Sequence, residues 1–273
     1  MQQICLSKQV KVGKKFQATE NLWLTRNSKQ HIVQITRTCP HLGLDLIEAQ
    51  AKLMPNCLIC PYHKRHIPYT PTNLVEYQGV VFSQNSSVSA SQIYDLPFVS
   101  QPLFIKSEVW RSFEFQTNWR NLVANVLDYE HVAAIHNRTI GFLLSNPVRE
   151  VDVDDHNHLQ VKWSTKSKLK SNEVDIWLNL DKKMVLLKVP FQDTFLYSLN
   201  LVVAVSENKS RLLLNSWFER EELNHNLWMR FWSNRIIDLL VWEDQQMLRH
   251  IKGVKPRLEF ENNPLIKKVF KDE

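Results

Sequence analysis

Two short stretches combine thiol and imidazole groups at close spacing: Cys39-Pro40-His41 and Cys60-Pro61-Tyr62-His63, with eighteen residues between His41 and Cys60. Each pair fits within one loop, and two such loops can face each other. Two thiolates on one iron and two imidazoles on the other would hold a 2Fe-2S cluster. Neutral imidazoles raise the potential of such a cluster relative to four thiolates, which suits taking and passing single electrons. Pro40 and Pro61 stiffen the loops by fixing φ, and Gly43 relieves the turn after the first pair. The same segment permits a second reading. Cys39, His41, Cys57 and Cys60 form a set that suits tetrahedral zinc. A third reading leaves these residues as buried side chains without metal, and Cys5 and Cys57 read most simply as small core residues.

A second constellation is Asp128-x2-His131-x4-His136. Two imidazoles and a carboxylate make the facial triad of non-haem ferrous oxygenases, which leaves coordination positions open for O₂ and water. On a straight α-helix, residues five apart point about 140° apart. His131 and His136 can therefore share a metal only if a helix end or π-type bulge lies between them. Asp128 is a helical neighbour of His131 and can orient its imidazole or relay an electron or proton. The remaining carboxylate must come from afar, and the last helical segment offers Glu243 and Asp244. Ile237, Leu240, Val241, Asp244 and Leu248 form one helical stripe. Glu243 falls beside Ile236, Leu239 and Met247, so periodicity does not choose between the two acids. Read plainly, the histidines are structural or surface groups, and the acid lies at the stripe's edge, either reaching to water or pairing with Arg249.

The elements that must carry these groups fall into two regions. Residues 1–82 read as short strands and turns, such as Leu22 to Thr25, His31 to Thr36 and Val80 to Phe82. A Ser- and Gln-rich stretch, Ser83 to Gln92, reads as a linker. The second region begins near Pro97, which divides the chain into 1–96 and 97–273. In it the pattern predicts a helix from Asn118 to Ile135, with Leu122, Val126 and Leu127 on its apolar side. Strands follow at Val151 to Val153, Leu159 to Trp163, Met184 to Val189, Phe195 to Val205 and Arg211 to Phe218. Turns lie at Asp154 to His158 and Asn208 to Ser210, and a long helix from Glu221 to His250 ends the pattern. Strands between an early and a late helix predict an α+β fold, with helices packed on an antiparallel sheet.

Composition narrows the function. The 273 residues are 44% hydrophobic and 23% charged, ordinary values for a globular protein. The net charge of +6 comes in part from Lys11 to Lys15 and Lys162 to Lys170, which read as solvated surface or as docking ground for an acidic electron-transfer partner. No basic run is interleaved with aromatics, which argues against nucleic acid. No apolar run is long enough to span a membrane, and no signal-like apolar core follows Met1. The expected location is cytoplasmic, where the four cysteines stay reduced. The chain has no Gly-x-Gly-x-x-Gly fingerprint, so its electrons must come from outside.

Taken together, Cys39-Pro-His-Leu-Gly43, Cys60-Pro-Tyr-His63, the segment Asn118-Trp-Arg-Asn-Leu-Val-Ala-Asn-Val-Leu-Asp-Tyr-Glu-His131 running on to His136, and Trp242-Glu-Asp244-Gln-Gln resemble the Rieske non-haem iron oxygenase family, in the α-type subunit of aromatic-ring hydroxylases and demethylases. The resemblance implies an all-β Rieske domain followed by a helix-grip catalytic domain. It implies a 2Fe-2S cluster on Cys39, His41, Cys60 and His63, and a mononuclear Fe(II) on His131, His136 and Asp244, selecting Asp244 over Glu243. It implies a homotrimer in which Asp128 bridges from His131 to His63 of the next subunit, with Asn125 near the iron. The activity implied is hydroxylation or demethylation of a small organic molecule with O₂, electrons coming from NAD(P)H through a reductase or ferredoxin. The pocket is expected between sheet and final helix, with Phe142, Trp163, Trp177, Phe195 and Trp217 as candidate lining. One departure stands out: the family has Gly-Trp-x-Phe after the second histidine, where this chain has Lys64-Arg65-His66-Ile67. The alternative is a Rieske electron-transfer or binding protein with an inactive catalytic domain.

Overall fold

Strand-forming segments of two to five residues, separated by turns, build the first part of the chain into three small antiparallel sheets. The computed structural model describes residues 2–83, 110–129, 131, 135–136, 144–153, 157–165, 173–251 and 263–271. The chain divides into two compact units, Met1–Ile93 and Tyr94–Glu273.

In the first unit, β1 (Gln2–Leu6) pairs with β9 (Val80–Ser83), which pairs with β8 (Leu74–Tyr77). A second sheet joins β2 (Phe16–Gln17), β3 (Trp23–Arg26) and β4 (Ile32–Ile35), and a third joins β5 (Lys52–Leu53), β6 (Cys57–Ile59) and β7 (His66–Pro68). Ile4, Cys5, Val10, Ala18, Leu24 and Val81 pack one small core. Ile35, Leu46, Ala51, Leu58 and Ile67 pack another, and Cys39 and Cys60 belong to it.

The second unit is built on a seven-stranded antiparallel sheet in the order β10-β16-β15-β14-β13-β12-β11. Its strands are β10 (Arg111–Phe115), β11 (Leu144–Val153), β12 (His158–Thr165), β13 (Glu173–Asn179), β14 (Met184–Phe191), β15 (Thr194–Ser206) and β16 (Lys209–Phe218). Two strands, β10 and β13, add to those the sequence reading expected. Both alternate: Phe113 and Phe115 in one, Val174, Ile176 and Leu178 in the other. The turn expected over Asn208 to Ser210 is tighter, because Lys209 already pairs with Ser206. Ile176, Leu178, Val185, Val202, Leu212 and Leu214 point from the sheet into a core shared with the helices. Each such side chain contributes about 1.5–3 kcal/mol when fully buried.

Helix α1 (Trp119–Leu127) opens on Asn118, whose side chain accepts from the Asn121 amide at 2.9 Å, and buries Leu122, Val123 and Leu127 in that core. It is shorter than the helix expected to reach Ile135. It ends at Asp128, whose backbone is extended; residues 132–134 lie outside the described residues. The late helix expected from Glu221 to His250 is two helices, α2 (Glu221–His225) and α3 (Leu227–Leu248). Asn226 separates them. Its side chain accepts from the amides of Trp228 and Met229, and an Asn that caps a new helix does not continue the old one. On α3, Val241 and Leu248 face the core. The helix is tied to β10 by the Arg111–Asp238 ion pair and by Gln245 Nε2, which donates to the Glu114 carbonyl at 2.8 Å. No described helix is long and apolar enough to cross a membrane. The linker beyond Ser83, turn residues 154–156, Phe142, and the side chains of Lys162 to Lys170, including Trp163, lie outside the described residues.

A further helix, α4 (Pro264–Phe270), packs Leu265, Ile266 and Val269 against α1. The buried Asn263 joins them. Its Oδ1 accepts from the Leu265 and Ile266 amides, while its Nδ2 donates to the carbonyl of Leu127, the last residue of α1, at 2.9 Å. Asn263→Ala removes a cap and leaves a buried carbonyl unpaired. It is expected to cost roughly 2–3 kcal/mol in denaturant unfolding, against about 1 kcal/mol for the exposed cap change Asn226→Ala.

Candidate metal centres

In the first unit the two Cys-His loops have one backbone design. The Cys39 amide donates to the Leu44 carbonyl at 2.8 Å, and the Cys60 amide to the Arg65 carbonyl at 3.0 Å. The Gly43 and Lys64 amides donate back to the Cys39 and Cys60 carbonyls, each at 2.9 Å. Each turn closes through a residue with positive φ, +71° at Gly43 and +55° at Lys64. The missing Gly after His63 thus has a local consequence. Lys64 adopts the conformation that Gly adopts in the partner loop, at a cost of about 1–2 kcal/mol for a residue with a Cβ.

These loops bring like donors together. Cys39 Sγ and Cys60 Sγ lie 3.9 Å apart, and the rings of His41 and His63 meet edge to face with centroids 4.5 Å apart. Cys39, Cys60 and His63 present ligand atoms within 4.8 Å of one another, and His41 joins them through its ring contact with His63. All four cysteines are free, and 3.9 Å is far beyond a disulfide bond. The His63 backbone N–H draws the Cys60 thiol down to about 7, helped by the His63 imidazole, the Tyr62 N–H and Cys39 against the effect of burial. A thiol so placed favours the thiolate that binds metal. Burial, then the charges of Arg65 and His63, lower the His41 pKa and keep its imidazole neutral, as a ligand must be. Thiol beside thiol and imidazole beside imidazole fit a cluster with one iron bound by each kind. Cys57 does not join the group. It stands 3.7 Å from Nδ1 of the exposed His66, which removes one member of the zinc set.

In the second unit the end of α1 turns the chain toward α3. The Asp128 amide makes the last contact to α1 through the Ala124 carbonyl, and its Oδ1 accepts from the His131 amide at 3.2 Å. His131 Nε2 and His136 Nε2 then stand 3.2 Å apart. Asp244 Oδ1, from α3, lies 3.6 Å from the first and 3.3 Å from the second. With ligand bonds of about 2.1 Å, adjacent positions of an octahedron are about 3 Å apart, so the triangle is close to one face. Asp244 Oδ1 and His131 Nδ1 are buried without a hydrogen-bond partner among the described residues. Lone pairs facing a buried carboxylate at this range repel unless a cation lies among them. The donor set therefore fits a divalent metal of the ferrous type.

The electrostatics agree. Burial pushes His131 down, more than Asp244 and Asp128 raise it. Burial also opposes protonation of His136, but the Asp244 carboxylate, then that of Glu243, outweighs it and holds His136 above its ordinary value. Carboxylates that raise an imidazole's affinity for a proton also favour any other cation at that place. Asp128 is less enclosed, with its side chain 39% exposed and Oδ2 3.8 Å from His131 Nδ1. Asn125 is buried on α1, its Oδ1 without a hydrogen-bond partner among the described residues. Sequence reasoning weighed Glu243 only as the alternative to Asp244 for the third ligand; its Oε2 instead lies 2.8 Å from His136 Nδ1.

A cavity of about 170 Å³ lies between the sheet and α2–α3, lined in part by Leu196, Leu214, Ser216, Trp217, Arg230 and Ile237. Trp217 is where a pocket residue was expected. Phe195 and Trp177 are not in this lining, and Phe195 instead lies under Lys188 Nζ at 4.4 Å. Ile237 precedes Asp244 by seven residues on α3, about 10 Å along a helix.

Residues 1–72 match the family described as the Rieske 2Fe-2S domain. Among solved structures, the chain is similar to NdmA of Pseudomonas putida CBB5 with caffeine, with TM-score 0.65 and 13% identity over 99% of this chain and 87% of that one. It is similar to dicamba monooxygenase bound to 3,6-dichlorosalicylic acid, with TM-score 0.64 and 15% identity over 98% and 94%. The terminal oxygenase of carbazole 1,9a-dioxygenase from Nocardioides aromaticivorans IC177 gives TM-score 0.51 and 18% identity over 79% and 73%. Comparison with curated protein sequences gives no match. At these identities the likeness to solved structures is one of fold, and that fold is the one the motifs led us to expect.

The paired loops yield a stability test. Lys64→Gly relieves the left-handed strain and is expected to raise unfolding free energy by about 0.5–1 kcal/mol, after the added freedom of the unfolded chain. Gly43→Ala, whose Cβ meets no atom within 4 Å, is expected to lower it by about 1 kcal/mol through φ alone. Denaturant unfolding of the two variants checks both signs.

Proposed function

We propose that this chain, with a Rieske domain at its start and the fold of Rieske oxygenases, is the oxygenase component of a Rieske non-haem iron system. The observation that carries the reading is the triangle of His131 Nε2, His136 Nε2 and Asp244 Oδ1, buried in a different unit from the Cys-His loops. We take 1–96 as the cluster domain and 97–273 as the catalytic domain. Cys39, His41, Cys60 and His63 would hold the 2Fe-2S cluster, and His131, His136 and Asp244 a mononuclear Fe(II). Iron in the second site supplies O₂ activation when electrons reach it.

The protein's own groups do the rest. The Cys60 thiol, drawn toward its thiolate form, and the neutral His41 set the mixed ligation of the cluster. Asp128 is the coupling group: one oxygen accepts from the His131 amide and the other faces the His131 ring, so the exposed carboxylate can serve a second imidazole across a subunit contact. We assign Asn125 a supporting place near the iron. The cavity beside Trp217 and Ile237 is the pocket for a small organic substrate, which is hydroxylated or demethylated; its lining mixes Leu196, Leu214 and Trp217 with Arg111, Ser216 and Arg230. Electrons come from NAD(P)H through a separate reductase or ferredoxin.

A homotrimer fits the surface. Trp228, Trp232 and Trp242 on α3 are 72%, 57% and 53% exposed, and Leu42 and Tyr62 stand exposed in the cluster loops. Large exposed apolar patches of this kind are rare on monomers. Cytoplasmic location fits the four free cysteines.

Anaerobically purified protein is expected to hold about three irons and two labile sulfides per chain. His131→Ala is expected to lose one iron and all O₂-dependent product formation while keeping the visible spectrum of the cluster. Wild-type protein that holds two irons and two sulfides, and takes up no ferrous iron, would instead be an electron-transfer protein with an inactive second domain. Asp128→Asn is expected to retain all the metal and to slow single-turnover reoxidation of the reduced cluster roughly 10–100-fold.

A further inference from the structure

The two histidines of the triangle are held very differently. His136 Nδ1 is 2.8 Å from Glu243 Oε2, and the two side chains are 5% and 11% exposed. The corresponding atom of His131 stands 3.8 Å from an Asp128 carboxylate oxygen, beyond a hydrogen bond. Glu243 and Asp244 are consecutive on α3, so their side chains leave the helix about 100° apart. They reach the His136 ring from its two sides, Glu243 at Nδ1 and Asp244 Oδ1 at 3.3 Å from Nε2.

A carboxylate only accepts, and a neutral imidazole has one N–H to give. The contact at Nδ1 therefore fixes the proton there and leaves the Nε2 lone pair aimed into the triangle. We infer that Glu243 is a positioning residue: it sets the tautomer and ring angle of His136 and makes that histidine the pre-formed ligand of the site. His131, whose Nδ1 has no hydrogen-bond partner among the described residues, is the ligand whose ring adjusts. This inference rests on the metal reading above and goes beyond it. It divides the two adjacent acids, one for the metal and one for the metal's ligand.

The test uses the full-length protein with its cluster intact, stripped of mononuclear metal by a mild chelator and titrated without oxygen with cobalt(II), followed through the cobalt visible bands. Glu243→Leu removes the acceptor and is expected to weaken cobalt affinity roughly 100-fold. Glu243→Gln keeps an acceptor but loses the charge and is expected to weaken it by roughly tenfold. Asp128→Asn is expected to bind cobalt within about threefold of wild type, because no hydrogen bond is lost at His131 Nδ1. If Glu243→Leu does not fold, as judged by its circular dichroism, the Gln variant decides. Wild-type affinity and wild-type cobalt bands in a folded Glu243 variant would overturn the role of Glu243 and leave the metal site standing. No cobalt binding by the wild type would overturn the metal reading itself, and this inference with it.

Discussion

Three electron-rich atoms, two imidazole nitrogens and one carboxylate oxygen, face one another at 3.2–3.6 Å in a buried place. Such an arrangement is unfavourable on its own, because each atom has given up water and none offers a proton freely to all the others. It is stable as a site for a cation, and the local structure of the second unit serves to hold it. A helix running unbroken through His131 and His136 would point the two rings about 140° apart, and α1 stops before them at Leu127. Asn263 fixes that stop by bonding the Leu127 carbonyl. Helix α3 must keep Asp244 in register with the two rings, and the contact of Gln245, the next residue, with the Glu114 carbonyl pins it to the edge strand β10. The sheet behind them supplies the apolar platform that carries both helices.

The first unit solves a different problem with the same economy. Among its described residues no helix is longer than one turn, so its two ligand loops rely on repeated backbone geometry. Each turn closes by an amide returning to the cysteine carbonyl, and each needs one left-handed residue. The first loop uses Gly43 and the second uses Lys64. That difference explains in structural terms what the sequence marks as a departure from the Rieske pattern. The turn survives the substitution at a modest energetic cost, with the lysine side chain exposed.

Much of this was legible beforehand because it depends on local chemistry. Cys-Pro-His and Cys-Pro-Tyr-His stand in loops whatever lies around them, and a five-residue gap between two histidines demands a helix break. Other features were harder to read. Strand β13 alternates over only three apolar residues, too short a signal to stand out. Helix α4 was announced by Asn263-Pro264, a cap followed by a proline at the first helical position, but it lies far from any motif. Asn226 divides the late helix because its side chain finds two amides, which periodicity does not register. The roles of Glu243 and Asp244 depend on which side of one imidazole each acid reaches, and this is a tertiary fact that helical periodicity left open.

Diffraction from crystals of the anaerobically purified protein, recorded on both sides of the iron absorption edge, tests the central claim most directly. The account predicts anomalous iron density in two separate places in each chain, one between the Cys39-His41 and Cys60-His63 loops and one bounded by His131, His136 and Asp244. Iron at the loops alone, with the His131–His136–Asp244 triangle holding no metal after soaking in ferrous iron, would contradict it.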